Sequence, residues 1–221
     1  MGLLDTLLGR SRSAPPDLDA LFALPAAAVT LQSAAGMTLS GSAGVCYKPP
    51  TGQGFADMQA EVMKLLAMDG SSVLRTAEDT YGYRWIVVAN PDPGELVTQV
   101  HVVNSSLADA GWGPQLLCSV FGLSGAPRGD DAPAGNDAPT PAAADGTAAS
   151  GDAPAGPDDG SGTAAYLVYL YKRGTFYPFA PTGHERRDTE LEFRLRSLLE
   201  GDLKIEPELD RWFPLWDLPV S

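Results

Sequence analysis

The stretch of the sequence with the most residues that could bind a ligand runs from residue 172 to residue 187. Its basic residues flank an aromatic and proline-rich segment that we predict to be a loop. A capping box beginning at Thr182 predicts that a helix starts here, and the N-terminus of a helix favours anions. One hypothesis is therefore a binding site for a phosphate or an acidic peptide. Its candidate residues are Lys172, Arg173, His184, Arg186 and Arg187.

The alternative interpretation of this stretch is structural, and the sequence favours it. The aromatic residues would cap the core, and the basic side chains would be solvated or paired with Asp188 and Glu190, as charged runs usually are. No nucleophile or pair of carboxylates accompanies the stretch. A catalytic interpretation therefore has no further support from the sequence.

Elsewhere the residue types used for catalysis and metal binding occur without partners at useful spacings. His101 lies within a predicted helix and has no second ligand at a metal-binding spacing. The phosphate-loop, dinucleotide and hydrolase motifs do not occur. Cys46 and Cys118 lie in separate apolar stretches, which favours buried reduced thiols over the alternative of a disulfide. We expect no enzyme activity, no catalytic residues, no cofactor and no metal.

The two ends of the chain carry apolar groups that need a surface to cover them. An amphipathic helix is predicted over residues 1–13, and so short a helix is marginal alone. We expect its leucine stripe to dock on protein, with an anionic membrane surface as the alternative. The C-terminal segment either packs over an open face of the sheet, which we favour, or forms a partner patch. The candidate contact residues are Leu3, Leu4, Leu7 and Leu8, together with Trp212 and Trp216.

The charge and composition of the chain narrow the class of protein. The formal net charge of -13 argues against nucleic acid as a partner, since such binding needs a basic face. No apolar run reaches the length of a membrane span, and the N-terminus lacks the features of a secretory signal. We therefore expect a cytoplasmic protein, with peripheral contact at the inner face of the membrane through the N-terminal helix as an option.

A composition break divides the rest of the chain. Residues 124–163 are rich in Ala, Gly, Pro and Asp and contain no aromatic residue and no Val, Leu, Ile or Met, so we expect a disordered insert. Residues 14–123 plus 164–221 are predicted to form a single domain. The apolar runs 116–121 and 166–171 flank the insert and are predicted to be antiparallel neighbours in a sheet.

Hydrophobic periodicity and turn residues predict the remaining elements. The predicted fold class is α+β, with an antiparallel sheet and helices mainly on one face, in the order helix-strand-strand repeated and followed by a C-terminal helix. Helices are predicted over 55–69, 92–111 and 182–201, and over 17–35 with a break at Pro25. A hairpin is predicted from 73–78 and 83–89, and a weaker strand at 45–48.

Four runs of sequence resemble the PspA-associated proteins of the PspAB family. They are residues 2–10, 16–24, 169–183 together with 185–188, and 211–216. The resemblance implies a bacterial protein with a role in the response to membrane damage. Our first hypothesis for its function is a non-enzymatic adaptor or regulatory protein that binds a PspA-type phage-shock protein or a companion. The resemblance carries over no catalytic residues. The alternative function is an anion-binding module or an unrecognised enzyme that uses residues 172–187.

Overall fold

The computed structural model describes residues 16–49, 57, 60, 63–64, 73–125 and 165–220. The first element is a 3-10 helix, Leu18–Ala23, which continues into helix α1, Leu24–Ala35. The helix type changes next to Pro25, where the missing N–H of proline is tolerated in the first turn. The break predicted at Pro25 is therefore a change of helix type, and the chain stays helical across it.

The expectation that no apolar run reaches the length of a membrane span is wrong, because the stretch Leu18–Ala35 is long and apolar enough to cross a membrane, judged by its length and composition alone. In this fold, one side of the stretch faces the protein core. Leu21, Leu24 and Leu31 are fully buried against the sheet and the other helices. The stretch thus contributes one buried side to the protein core, as the core helix of a globular domain does.

Two further helices have clear caps. Helix α2, Pro93–Leu107, begins at Asp92, whose side chain accepts a hydrogen bond of 2.8 Å from the N–H of Glu95. It ends in a π-helical turn that contains Gly111 at a φ of 89°. Helix α3, Thr189–Leu199, is capped by Asp188, which accepts from the N–H of Leu191 at 2.9 Å.

The prediction that the last helix begins at Thr182 is wrong. Two short strands, β7 (Pro181–Gly183) and β8 (Arg186–Arg187), form a hairpin here, and its turn residues His184 and Glu185 have positive φ angles. The N–H of Asp188 donates to the carbonyl oxygen of Ala180 at 2.7 Å and closes the hairpin. The helix can begin only after this closure, so the cap is Asp188.

Six strands form the main antiparallel sheet. They are β1 (Thr38–Tyr47), β2 (Val73–Glu78), β3 (Arg84–Ala89), β4 (Leu116–Ser124), β5 (Ala165–Leu170) and β6 (Thr175–Phe179), in the spatial order β2-β3-β1-β4-β5-β6. The predicted hairpin (β2 and β3) and the antiparallel pairing of the runs that flank the insert (β4 and β5) are both confirmed.

Two strands differ from the prediction. The weak strand at 45–48 is in fact the ten-residue β1, which pairs with both β3 and β4. The aromatic stretch expected as a loop contains β6, an edge strand of the sheet in which Pro178 is tolerated. Of the helix predicted over 55–69, the described residues Asp57, Ala60, Met63 and Lys64 are helical. The insert from 126 onward and the N-terminal leucines lie outside the described residues.

The sheet buries both of its faces. The helices cover one face, where Tyr47, Phe121 and Tyr169 belong to the larger core. The C-terminal segment, residues 204–220, covers the other face, where Trp212 is only 5% exposed. This segment first runs beside β6, because the N–H of Phe176 donates to the carbonyl of Lys204 and the N–H of Glu206 donates to the carbonyl of Phe176. The α+β class with helices on one face is thus confirmed, and the C-terminal segment adds a second core.

Candidate functional site

A cavity of about 700 Å³ lies on the face of the sheet opposite the helices, between the strands and the C-terminal segment. Its volume is within the range of about 300–1,000 Å³ that small-molecule sites occupy. Three parts of the chain line it: the β2–β3 turn, the ends of the central strands with the β5–β6 turn, and the C-terminal segment. The lining includes Asp79 and Tyr81 of the first part, Lys172 and Arg173 of the second, and Arg211 and Trp216 of the third.

The floor of the cavity is apolar, and its polar atoms already have partners. The indole N–H of Trp85 donates to Oδ2 of Asp79 at 3.0 Å. The hydroxyl of Tyr177 donates to the carbonyl oxygen of Phe213 at 2.8 Å. The side chains of Leu117 and Leu170 add apolar surface to the floor. The floor can therefore bury an apolar group but offers little to a polar one.

The two cysteines face each other across the cavity floor. Cys46 on β1 and Cys118 on β4 are opposite partners in the strand register, and both are buried free thiols. A hydrogen bond with Cys118, together with burial, holds the pKa of the Cys46 thiol well above its ordinary value. The thiolate is the nucleophilic form, so Cys46 is unsuited to nucleophilic chemistry. The expectation of two buried reduced thiols agrees with these positions.

Three cations lie at one side of the lining. Lys172 and Arg173 belong to the tight β5–β6 turn, which is closed by hydrogen bonds from the N–H groups of Arg173 and Gly174 to the carbonyl of Leu170. Gly174 has a φ of 63°, and a β-carbon there would come within 2.7 Å of the β-carbon of Asp17. The turn is therefore fixed in place. Arg211 reaches the same side from the C-terminal segment.

A buried carboxylate holds the two arginines of this side. Glu206 is fully buried, and its Oε2 accepts from Arg173 Nε at 2.8 Å and from the hydroxyl of Thr175 at 2.7 Å. Nη1 of Arg211 lies 3.6 Å from Oε1 of Glu206 and 2.5 Å from Oε1 of Glu208. Burial alone would raise the pKa of Glu206, but the hydrogen bonds from Thr175, the Glu208 backbone and Arg173 outweigh it and lower the pKa below its ordinary value.

The other predicted anion-binding residues lie on the β7–β8 hairpin. Arg187 makes a bidentate pair with the buried Glu192, with Nε and Nη2 at 2.8–3.0 Å from its carboxylate oxygens. Its Nη1 donates to the carbonyl of Trp212 at 2.8 Å, and its guanidinium lies over the ring of Phe179. His184 and Arg186 are exposed.

The structure therefore divides the five candidates into two groups. Lys172 and Arg173 line the cavity, whereas His184, Arg186 and Arg187 do not. Arg211 was missed by the sequence reasoning, although it occupies the same side as Lys172 and Arg173. No local pattern marks it, because the fold alone brings the C-terminal segment to the β5–β6 turn.

The two candidate contact residues at the C-terminus, Trp212 and Trp216, lie in different environments. Trp212 stacks on Tyr177 with ring centroids 5.9 Å apart and is held within the second core. Trp216 is half-buried, packs edge-on against Phe179 and lines the cavity. Tyr81 and Phe213 line the cavity with more than half of their surface exposed. His101, outside this site, stacks against Phe22 at 4.9 Å on the helical side.

The sequence matches a protein-family model over most of its length. The model of the family described as PspAB, PspA associated protein B, matches residues 1–135 and 153–220. The matched ranges include every described residue, and with them the whole lining of the cavity. Comparison with curated proteins and with solved structures finds no match.

Proposed function

The chain belongs to the PspA associated protein B family, and from this membership we propose that it is a non-enzymatic adaptor that binds a PspA-type protein, or a companion of it, in a bacterial response to membrane damage. The family match is the single observation that carries the proposal. The match extends over both sides of the insert, so it concerns the whole layered fold and not one motif.

The use of the buried charged groups supports a binding role over a catalytic one. Glu192 and Glu206, the two buried carboxylates in the described ranges, each hold an arginine and a neighbouring backbone N–H or hydroxyl. A general acid or base has to present its carboxyl group to a substrate. Both carboxylates are instead engaged in fixing the loops of the chain.

The helical side of the fold offers a surface that suits a protein partner. Phe22 is 50% exposed and Val29 is 68% exposed, on the outer side of the same helical stretch whose inner leucines are buried. This stretch follows directly on the N-terminal segment with Leu3, Leu4, Leu7 and Leu8. Burial of four leucines supplies about 6–10 kcal/mol before ordering costs, which leaves room for micromolar binding.

The test is direct binding of the purified full chain to the PspA-type protein of the same organism, measured by calorimetry and by co-purification. We expect binding in the micromolar range, and we expect the Leu4→Asp, Leu7→Asp double variant to weaken it at least tenfold with an unchanged melting temperature. The matched control is Ser11→Asp, Ser13→Asp, which adds the same charge outside the stripe. If neither the PspA-type protein nor any companion co-purifies with the wild-type chain, the proposal is wrong.

Two outcomes of the same experiment locate the contact. A large fall in melting temperature of the leucine double variant would mean that the stripe docks on its own core, and a Phe22→Ser, Val29→Ser variant then tests the helical side. Sedimentation of the wild-type chain with anionic vesicles, lost in the leucine variant, would instead assign the stripe to the membrane surface.

A further inference from the structure

We propose that the cavity between the sheet and the C-terminal segment binds a free single-chain amphiphile with an anionic head group, of the fatty-acid class. The inference goes beyond the proposed association with a PspA-type protein and depends on different residues. Of the five residues in the anion-binding hypothesis, this proposal uses only Lys172 and Arg173, which line the cavity.

The floor of the cavity selects for hydrocarbon. Its indole and phenol groups are already bonded, Trp85 to Asp79 and Tyr177 to the Phe213 carbonyl. A polar ligand entering here would give up hydrogen bonds to water and gain none from these groups, which is unfavourable. An alkyl chain loses nothing and is buried against Leu117 and Leu170. The body of the ligand is therefore apolar.

The charged residues of the lining select for an anion at one end of the ligand. They are the cations Lys172, Arg173 and Arg211 and a single carboxylate, that of Asp79. Oδ1 of Asp79 accepts the N–H groups of Tyr81 and Tyr83, and Oδ2 accepts the indole N–H of Trp85. Three donors thus engage this carboxylate within the β2–β3 turn, and the cations dominate the polar end.

The arginines keep donors for a ligand although Glu206 and Glu208 hold them. Those pairs use Nε and Nη2 of Arg173 and Nη1 of Arg211. A guanidinium has five N–H donors. In the described parts of the chain, the exposed Lys172 takes part in no ion pair. The closest contacts of Arg173 and Arg211 with the two carboxylates use one or two nitrogens of each guanidinium, so further N–H donors of each remain. The carboxylates therefore act as a fixed support that orients the two guanidinium groups.

The rim of the cavity provides a way in for such a ligand. Tyr81 and Phe213 are 57% and 55% exposed and belong to the lining. Aromatic side chains with one face on an apolar interior and one face in water suit the passage of an acyl chain. The volume of about 700 Å³ is that of a site for one small molecule, so the proposal concerns a free amphiphile and not a bilayer surface.

The experiment measures binding of octanoate, laurate and palmitate to the full-length protein by calorimetry, and of a bromine-labelled laurate by quenching of tryptophan fluorescence. Trp85 and Trp216 line the cavity, so we expect quenching. We expect affinity to rise with chain length by up to about fourfold per methylene. Lauryl alcohol, which lacks the charge, should bind at least several-fold more weakly than laurate. Affinity that is independent of chain length, or equal for laurate and the alcohol, would overturn the proposal.

Variants assign the binding to this cavity. Lys172→Gln should weaken laurate binding about threefold to tenfold, whereas Lys204→Gln, an equal change of charge at an exposed lysine outside the lining, should leave it unchanged. Leu117→Trp should fill the floor and abolish binding. If that variant fails to fold, the lysine pair still decides, since both lysines are exposed. Equal affinities of the two lysine variants would refute the site.

Anionic vesicles form the last arm of the experiment. Binding to vesicles of phosphatidylglycerol without binding to free laurate would mean that the ligand is a bilayer surface, and the proposal would be wrong. The outcomes are separate from those of the proposed function. Co-purification with the PspA-type protein without laurate binding would support the proposed function and refute this inference. Laurate binding without co-purification would support this inference and refute the proposed function.

Discussion

The substitution Glu206→Gln tests whether the buried carboxylate organises the C-terminal segment. The change keeps the size of the side chain and removes its charge. An amide nitrogen or a neutral oxygen then faces Arg173 Nε, Arg211 Nη1 and the Thr175 hydroxyl, which now lie 2.8, 3.6 and 2.7 Å from the carboxylate. Loss of one member of a buried ion pair costs about 3–5 kcal/mol when the partner stays buried.

The expected cost is smaller than that because both partner side chains are partly exposed and Arg211 keeps its ion pair with Glu208. The side chains of Arg173 and Arg211 are 41% and 34% exposed, so we expect a loss of about 2–3 kcal/mol in the free energy of unfolding. For a domain of this size, that corresponds to a fall in melting temperature of about 4–12 °C. The control is Glu208→Gln, which removes an exposed carboxylate that contacts the same arginines and should cost less than about 1 kcal/mol.

The pH dependence gives a second criterion for Glu206. Its pKa is lowered in the folded protein, so its contribution to stability is complete above the pKa of the unfolded chain and is lost as the pH falls through the folded pKa. Urea unfolding should therefore show the full difference between wild type and Glu206→Gln at about pH 7, and a smaller difference below about pH 4. The reasoning would be refuted if Glu206→Gln and Glu208→Gln lost equal free energy of unfolding at about pH 7. It would also be refuted if the difference between wild type and Glu206→Gln did not change with pH.

Four further expectations follow from the same contacts. Joining Ser124 to Thr163 through a short Gly-Asn turn should leave the melting temperature within a few degrees, since β4 and β5 pair directly; a fall of more than about 10 °C would show that the insert packs on the domain. Arg187→Lys should lower the free energy of unfolding in urea by about 1.5–3 kcal/mol, because lysine cannot form the bidentate pair with Glu192, and a loss below about 0.5 kcal/mol contradicts this. Cys46 should react with iodoacetamide far more slowly in the native than in the unfolded protein at about pH 8, because its pKa is raised; equal rates contradict this. Millimolar phosphate should not raise the melting temperature, since a bare anion has no chain to bury; a rise that is lost in Arg186→Ala would support the hairpin as an anion site.

The parts of the fold that the sequence predicted well depend on short-range chemistry. Asp92 and Pro93 define the start of α2 through a cap and a fixed φ angle, and both act within one turn. The runs on each side of the insert are apolar on both faces, which is typical of central strands whatever their partners. β6 was missed because its aromatic residues and Pro178 also suit a loop. Its second buried face exists only because the C-terminal segment covers Tyr177 and Phe179.

The candidate site was harder to predict for a related reason. Tyr81 on the β2–β3 turn, Lys172 on the β5–β6 turn and Arg211 on the C-terminal segment are separated by long stretches of chain, and only the sheet order brings them together. Periodicity and capping rules concern a few neighbouring residues and cannot predict a contact between distant parts of the chain. The basic composition of residues 172–187 did indicate the region, although only its first two cations reach the cavity.

The arginines show why charge alone misassigns a ligand site in this chain. Arg187 looks available in the sequence, yet it joins Glu192 on α3 to the Trp212 carbonyl on the C-terminal segment. The Trp212 indole in turn donates to the carbonyl of Glu206 at 3.0 Å, and the carboxylate of Glu206 holds Arg173 at the cavity. These contacts form one continuous path from the β7–β8 hairpin to the cavity wall. Arg187 therefore holds the cavity wall in place, while Lys172 is the cation that is free to meet the head group.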